Sequence, residues 1–210
     1  MPPMTQIIAP IAEITAEQIG RLSDRFSERC RKNKVSLPKD TVQLVLEQEG
    51  GELAQEQFEA LRKRVERRSE MIVRHFKVDR TKTREQMITA LKRTPYVDAE
   101  VLATMPTDGK DEGDLYFFPG KRTIPALELA REFEYRGLVP YPLAQMQVNI
   151  DDKSFADEHP NGVQWLDTDD NPCFATFYRW YDERKVSVSR RGFGWDGHWW
   201  FAGVRKQNQS

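Results

Sequence analysis

Carboxylates form the first group of residues whose spacing could support chemistry. Asp167, Asp169 and Asn171 have the i, i+2, i+4 spacing that opens a calcium-binding loop. The rest of that pattern is missing, because Pro172 stands where the sharp-turn glycine belongs and Tyr178 stands where the bidentate glutamate belongs. Aspartate, threonine and asparagine favour chain reversal, so we interpret this stretch as a solvated turn.

The same acids offer a second chemistry when they are combined with the next turn. They precede Glu183 and Lys185 across a predicted strand, an order that resembles the PD-(D/E)xK nucleases, whose carboxylates hold a divalent metal. The chain lacks the Pro-Asp pair, and the Glu-x-Lys group falls in a predicted turn. A metal-dependent hydrolase or nuclease-like enzyme that uses Asp167, Asp169, Asp170 and Glu183 is therefore an alternative interpretation.

Histidine and cysteine do not complete a catalytic or metal-binding pattern. His75, His159 and His198 lie in different predicted elements, and none has a second histidine or a cysteine at ligand spacing. Cys30 and Cys173 are far apart, and we interpret both as free thiols in a reducing compartment. A nucleophilic pair of Cys173 with a histidine stays open, because chain spacing does not give proximity. Since the phosphate-loop and G-x-S-x-G motifs are also missing, we expect no catalytic residue, no metal and no cofactor.

The charged residues are distributed in blocks, although the net charge is only -1. Residues 61–95 carry 12 basic and 4 acidic side chains, whereas residues 96–170 carry 6 basic and 16 acidic ones. We predict that six cations of the basic block form a docking face on one long helix: Arg62, Lys63, Arg64, Arg67, Arg68 and Arg74. Such a face could neutralise the phosphates of a nucleic acid, and the alternative is that the two charge blocks face each other.

All five tryptophans lie in the last 46 residues. Trp199 and Trp200 are adjacent on a predicted strand, so their side chains point to opposite faces of the sheet. One can fill the core, and the other is covered by another element or offered to a partner. We therefore predict that Trp195 and Trp199 belong to an aromatic binding face, and a sheet packed on both sides is the alternative.

The periodicity of the apolar residues changes along the chain. Thr15 and Gln18 form a capping-box pair in front of an apolar stripe, which predicts the first helix. The spacing from Phe58 through Ile72 to Phe76 predicts one long helix, and shorter helices are predicted before residue 105. Strands are predicted at 115–118, 141–150, 163–166, 173–180, 186–190 and 198–205, with one amphipathic helix at 123–135.

These patterns predict an α+β fold, with a helical N-terminal half followed by a C-terminal antiparallel β-meander with one packed amphipathic helix. We predict a helical region at 1–105, a linker at 106–114, where the sequence is polar and contains glycine, and an α+β domain at 115–210. No apolar run reaches the roughly 20 residues that cross a bilayer, and the N-terminus lacks the basic segment of a signal peptide. We therefore expect a cytoplasmic protein that does not bind membranes.

The sequence predicts binding rather than catalysis. We expect a non-enzymatic interaction protein that docks a protein or nucleoprotein partner through the basic helix and the aromatic sheet face. Nucleic acid is a second candidate partner, and the oligomeric state does not follow from the sequence. A small regulatory or inhibitory protein of a mobile element such as a phage is a third interpretation, because charge blocks suit it as well.

Overall fold

The structure is a computed structural model that describes residues 14–66, 70–190 and 194–206. The chain divides into two compact units, a helical unit within Ile8–Ser69 and a sheet unit within Glu70–Ser210. In the described residues, every strand belongs to the sheet unit. The predicted mixed α+β class is confirmed.

The described part of the helical unit consists of helices, the first of which begins at a side-chain cap. Its elements are α1 (Ala16–Lys32), a short 3₁₀ helix (Lys34–Ser36), α2 (Lys39–Gln48) and α3 (Gly50–Glu66). The predicted capping box of α1 is confirmed: the Gln18 N–H donates to Thr15 Oγ1 at 3.2 Å, and the Thr15 N–H donates to Gln18 Oε1 at 2.9 Å. No residue described in this unit is buried.

The sheet unit contains one sheet with helices on both sides. Its elements in chain order are β1 (Ile72–Lys77), α4 (Arg84–Ala90), β2 (Thr94–Val97), α5 (Ala99–Ala103), β3 (Glu112–Pro119), α6 (Ala126–Tyr135), β4 (Leu138–Pro140), α7 (Pro142–Asp151), α8 (Phe155–Glu158), β5 (Asn161–Leu166), β6 (Pro172–Trp180), β7 (Glu183–Arg190) and β8 (Trp200–Arg205). The strand order is β1-β3-β8-β5-β6-β7-β2, and β4 pairs with β8. Neighbouring strands are antiparallel except for β5–β8 and β2–β7, which are parallel.

Apolar side chains on both faces of the sheet form two separate cores. Along β6, Cys173, Ala175 and Phe177 belong to the first core, which α4, α5, α7 and α8 complete. Phe174 points to the opposite face, because successive residues of a strand alternate, and it belongs to the second core with α6. Between these helices the sheet is packed on both sides, which was the alternative to an open aromatic face.

Two elements differ in type from the prediction. Ile72 and Phe76 were assigned to the long helix, but they lie on one face of β1. A spacing of four residues places side chains on the same face of a helix and also of a strand, so the pattern did not distinguish the two. Residues 141–150 were predicted as a strand and form α7, whose residues from Pro142 to Asn149 are all buried and therefore show no helical period.

The predicted order of a helical half and a later meander holds only in part. The predicted meander is formed by β5, β6 and β7, whereas β8 lies between β3 and β5 rather than beside β7. The two edge strands, β1 and β2, both come from the part of the chain before residue 106. Residues 106–114, the predicted linker, join elements of one unit, because β1 pairs with β3 across this segment.

Candidate docking site on the aromatic sheet face

Aromatic side chains gather where β6, β7 and β2 form one end of the sheet. Tyr178 and Trp180 alternate along β6, so they share the face of Phe174 in the second core. On β7, Lys185 is directly opposite Tyr178, and its Nζ lies 5.3 Å from the ring centroid of Tyr96 on the edge strand β2. Lys185 on β7 therefore lies between aromatic residues of the two neighbouring strands, β6 and β2. We call this surface, together with Tyr181 in the adjoining turn, the aromatic end.

The turn between β6 and β7 exposes its aromatic residues to solvent. Trp180 is 57% exposed and Tyr181 is 85% exposed, and their ring centroids lie 5.5 Å apart in an edge-to-face contact. Tyr181 has a φ of 51°, in the left-handed region that glycine and asparagine favour in hairpin turns. A bulky residue costs on the order of 1 kcal/mol in this conformation. The turn itself gives no reason for an aromatic residue at this position.

The two tryptophans that the sequence assigned to the aromatic face have a different role. Trp195 is only 6% exposed and lies in the second core, where its Nε1–H donates to Gln164 Oε1 at 2.9 Å. Trp195 therefore lies in the core and not on an open aromatic face, and its ring has partners within the chain. Trp199 is half-buried and makes edge-to-face contacts with Trp195 at 5.7 Å and with Tyr178 at 5.8 Å. Through these two contacts, Trp199 links Tyr178 of the aromatic end to Trp195 of the second core.

The six predicted basic residues do not share one helix face. Arg62 and Arg64 lie on α3, and Arg62 pairs with Glu59 of the same helix. The side chain of Lys63 and the whole of Arg67 and Arg68 lie outside the described residues. Arg74 lies on β1 instead of a helix, which contradicts the prediction. Its largely buried side chain lies with Cζ 4.6 Å from the ring centroid of Phe155 and with Nε 3.9 Å from Asp152 Oδ2.

Other cations of the basic block pair with the acidic block inside the sheet unit. Arg80 Nε lies 2.8 Å from Asp111 Oδ1, and Arg80 Nη2 donates to the Gly109 carbonyl at 2.7 Å and to Tyr141 Oη at 2.9 Å. Lys77 Nζ lies 3.4 Å from Glu112 Oε2. These contacts agree with the alternative in which the two charge blocks face each other, and they bind the segment after Met105 to the rest of the unit.

The aspartates of the predicted turn serve the structure of the turn. The buried carboxylate of Asp167 accepts the N–H groups of Asp169 and Asn171 through Oδ1, each at 2.9 Å. Its Oδ2 accepts the Nε–H of Arg190 at 2.8 Å. The Arg190 guanidinium and these backbone donors hold the pKa of Asp167 at about 2. Asp167 is therefore charged at neutral pH and anchors the turn that the residue types of this stretch predicted.

The acidic residues proposed for the alternative hydrolase do not lie close together. Asp167, Asp169 and Asp170 precede β6, whereas Glu183 follows it and pairs with Trp180 at the other end of the strand. The nine residues of β6 separate the two ends by roughly 25 Å. In the part of the chain that the structure describes, no group of three or more histidine, cysteine, aspartate or glutamate side chains is arranged to hold a metal ion.

The thiol and imidazole groups are also dispersed. Cys173 is buried, and burial raises the pKa of its thiol, which disfavours the nucleophilic thiolate. His159 packs edge-to-face against Trp200, on the face of the first core. His75 lies on the exposed surface of β1 between Glu112 and Asp114, and hydrogen bonding to Asp114 raises its pKa. None of these groups completes a nucleophile and base pair.

Sequence reasoning missed the residues that form the exposed part of the aromatic end: Tyr96, Trp180 and Tyr181. A signal was present, because Trp180 follows Tyr178 by two residues and therefore shares its face, and Tyr181 stands where a tight turn favours asparagine or glycine. Tyr96 was missed because only helices were predicted before residue 105, whereas Thr94–Val97 forms the short edge strand β2.

Comparisons of the chain with protein-family models, with curated proteins and with solved structures give no match. Within the described residues, no helix has the length and apolar character that a membrane span requires. A function for this chain therefore has to be proposed from the chemistry of its own residues.

Proposed function

We propose that the protein is a non-enzymatic interaction protein whose sheet unit docks a protein partner on the aromatic end. The observation that carries this proposal is the exposure of Trp180 and Tyr181 together at a turn whose backbone conformation disfavours tyrosine. Tryptophan and tyrosine are the residues that most often dominate the binding energy of protein interfaces. Tyr178, which shares the face of Trp180, contacts the Trp199 ring, and Trp199 in turn contacts the buried Trp195.

The charges around the aromatic end favour a protein over a nucleic acid. Lys185 is a cation of this face, and its Nζ lies 3.5 Å from Glu183 Oε2. Asp182 in the turn is fully exposed, and its Oδ1 lies 4.0 Å from Arg179 Nη2, so two acids and two cations lie around the exposed rings. Binding to a phosphate backbone depends on cations that replace counterions, and this surface offers little net positive charge. A protein segment with a basic residue suits it, because the cation can lie on the Trp180 ring and meet these acids.

The test compares capture of partners by matched variants. The wild-type protein, a Tyr96→Ala/Trp180→Ala variant and a Leu127→Ala control are immobilised and exposed to nuclease-treated extract of the cells that naturally make the protein. Leu127 on α6 is 80% exposed and belongs to none of the strands that form the aromatic end, so it controls for loss of an exposed apolar side chain.

We expect a protein that the wild type and the control retain and that the double variant loses. The proposal is overturned if the double variant retains every wild-type partner. It is also overturned if the partners are captured from untreated extract but not from the nuclease-treated extract.

A further inference from the structure

The helical unit carries an apolar surface that its own residues leave uncovered. On α1, Ile19, Leu22 and Phe26 recur at spacings of three and four residues, and each is about half exposed. Phe58 and Val65 on α3 are exposed to a similar degree. The opposite side of α1 carries ion pairs such as Arg21 with Glu17, which are suited to solvent. Both kinds of surface on one helix define an amphipathic element that needs a covering partner.

A helix of this kind obtains little stability alone. The 17 residues of α1 only slightly exceed the length of about 12–15 residues below which isolated helices are marginal in water, and tertiary burial of the apolar stripe supplies most of the stability of helices in proteins. The helical unit has no buried residue in its described part, so α1 does not obtain such burial from the described residues of its own unit. The apolar stripe therefore points to another molecule.

Charge complementarity identifies that molecule as a second copy of the chain. Residues 16–32, which form α1, carry five basic and three acidic side chains, a net charge of 5 − 3 = +2. Residues 39–59, in α2 and the first part of α3, carry one basic and six acidic side chains, a net charge of 1 − 6 = −5. Arg25 and Arg29 lie beside the stripe of α1, and Asp40 and Glu47 share an exposed face of α2 with Leu44. Each copy thus carries a basic apolar surface and an acidic apolar surface.

We propose that the protein forms a symmetric dimer in which α1 of each copy packs against the acidic α2–α3 segment of its partner. The exposed stripe argues against the same pairing within one chain, because α1 and α2–α3 belong to one unit and the stripe is still uncovered. A two-fold dimer buries two identical interfaces of this kind. This dimer is independent of the docking partner of the aromatic end.

The test uses complementary charge reversal on the full chain. Variant A carries Arg25→Glu and Arg29→Glu, and variant B carries Asp40→Lys and Glu47→Lys. Each variant alone places like charges across both interfaces and should be monomeric. In a mixture of A and B, both interfaces join opposite charges again, so the dimer should return. A pairing within one chain cannot be restored by mixing.

Light scattering coupled to size-exclusion chromatography gives the readout, and circular dichroism checks that each variant keeps its helices. We expect the wild type to show twice the 24.5 kDa mass of one chain. A Leu22→Ser/Phe26→Ser variant should dissociate at least about tenfold more readily, because two buried apolar side chains are lost. A Leu127→Ser control should remain dimeric.

A wild type that is monomeric at every concentration overturns the proposal. A mixture of folded A and B that stays monomeric overturns it as well, and so does a Leu22→Ser/Phe26→Ser variant that associates like the wild type.

Discussion

Replacement of two tryptophans separates the supporting role of Trp195 from the docking role of Trp180. Trp195→Ala removes a ring that is 94% buried among Phe174, Trp199 and Phe201 and deletes its hydrogen bond to Gln164. Truncation of a buried tryptophan typically lowers the free energy of unfolding by about 3–5 kcal/mol, since it combines lost burial with a cavity. Trp180→Ala acts on a ring that is more than half exposed, so we expect a change within about 0.5 kcal/mol.

Urea unfolding followed by tryptophan fluorescence measures both changes, because all five tryptophans lie in the sheet unit. A third variant, Gly162→Ala, also acts on the Trp195 ring. A Cβ at residue 162 would lie 2.4 Å from Trp195 Cζ3, so we expect an overpacking loss of about 1–3 kcal/mol. The reasoning is refuted if Trp195→Ala lowers stability by less than about 1 kcal/mol, or if Trp180→Ala lowers it more than Trp195→Ala does.

Three further predictions follow from the contacts of the sheet unit. Because the folded pKa of Asp167 is about 2 and its unfolded pKa is near 4, its contribution to stability is complete above about pH 4 and is lost as the pH falls toward 2. Asp167→Asn should therefore flatten the acid limb of a plot of Tm against pH, and an unchanged limb would contradict this assignment. An uncharged thiol reagent should modify the buried Cys173 at least about tenfold more slowly in the folded protein than in urea-unfolded protein, whereas equal rates would show that burial does not protect this thiol. Arg80→Ala should make residues 106–111 several times more sensitive to a nonspecific protease, because the guanidinium binds this segment at several points, and unchanged cleavage would exclude the tether.

Elements with a local signal could be predicted from the sequence. The capping box at Thr15 fixed the start of α1, and the turn at Asp167 fixed the reversal between β5 and β6. Both depend on contacts between residues fewer than five positions apart, which the sequence displays directly. The meander of β5, β6 and β7 was predictable for the same reason, since its strands are joined by short turns.

Elements that depend on distant partners could not be predicted. Ile72–Lys77 forms the strand β1 because it pairs with β3, which lies some 35 residues later in the chain. The apolar spacing within Ile72–Lys77 does not distinguish a strand from a helix. The exposure of Trp180 and the burial of Trp195 depend on where α6 covers the sheet, which neither tryptophan's neighbours in the sequence reveal. The same limit applied to Arg74, whose place over Phe155 follows from the packing of α8.

Site-specific photo-cross-linking tests the docking role of the aromatic end most directly. A benzoylphenylalanine replaces Tyr181 in one protein and Leu127 in a matched control, and both are irradiated in the cells that make the protein. The account predicts a discrete adduct with a protein partner from position 181, weakened when Trp180→Ala is added, and no such adduct from position 127. The absence of any adduct at position 181, or the same adduct at both positions, would contradict the account.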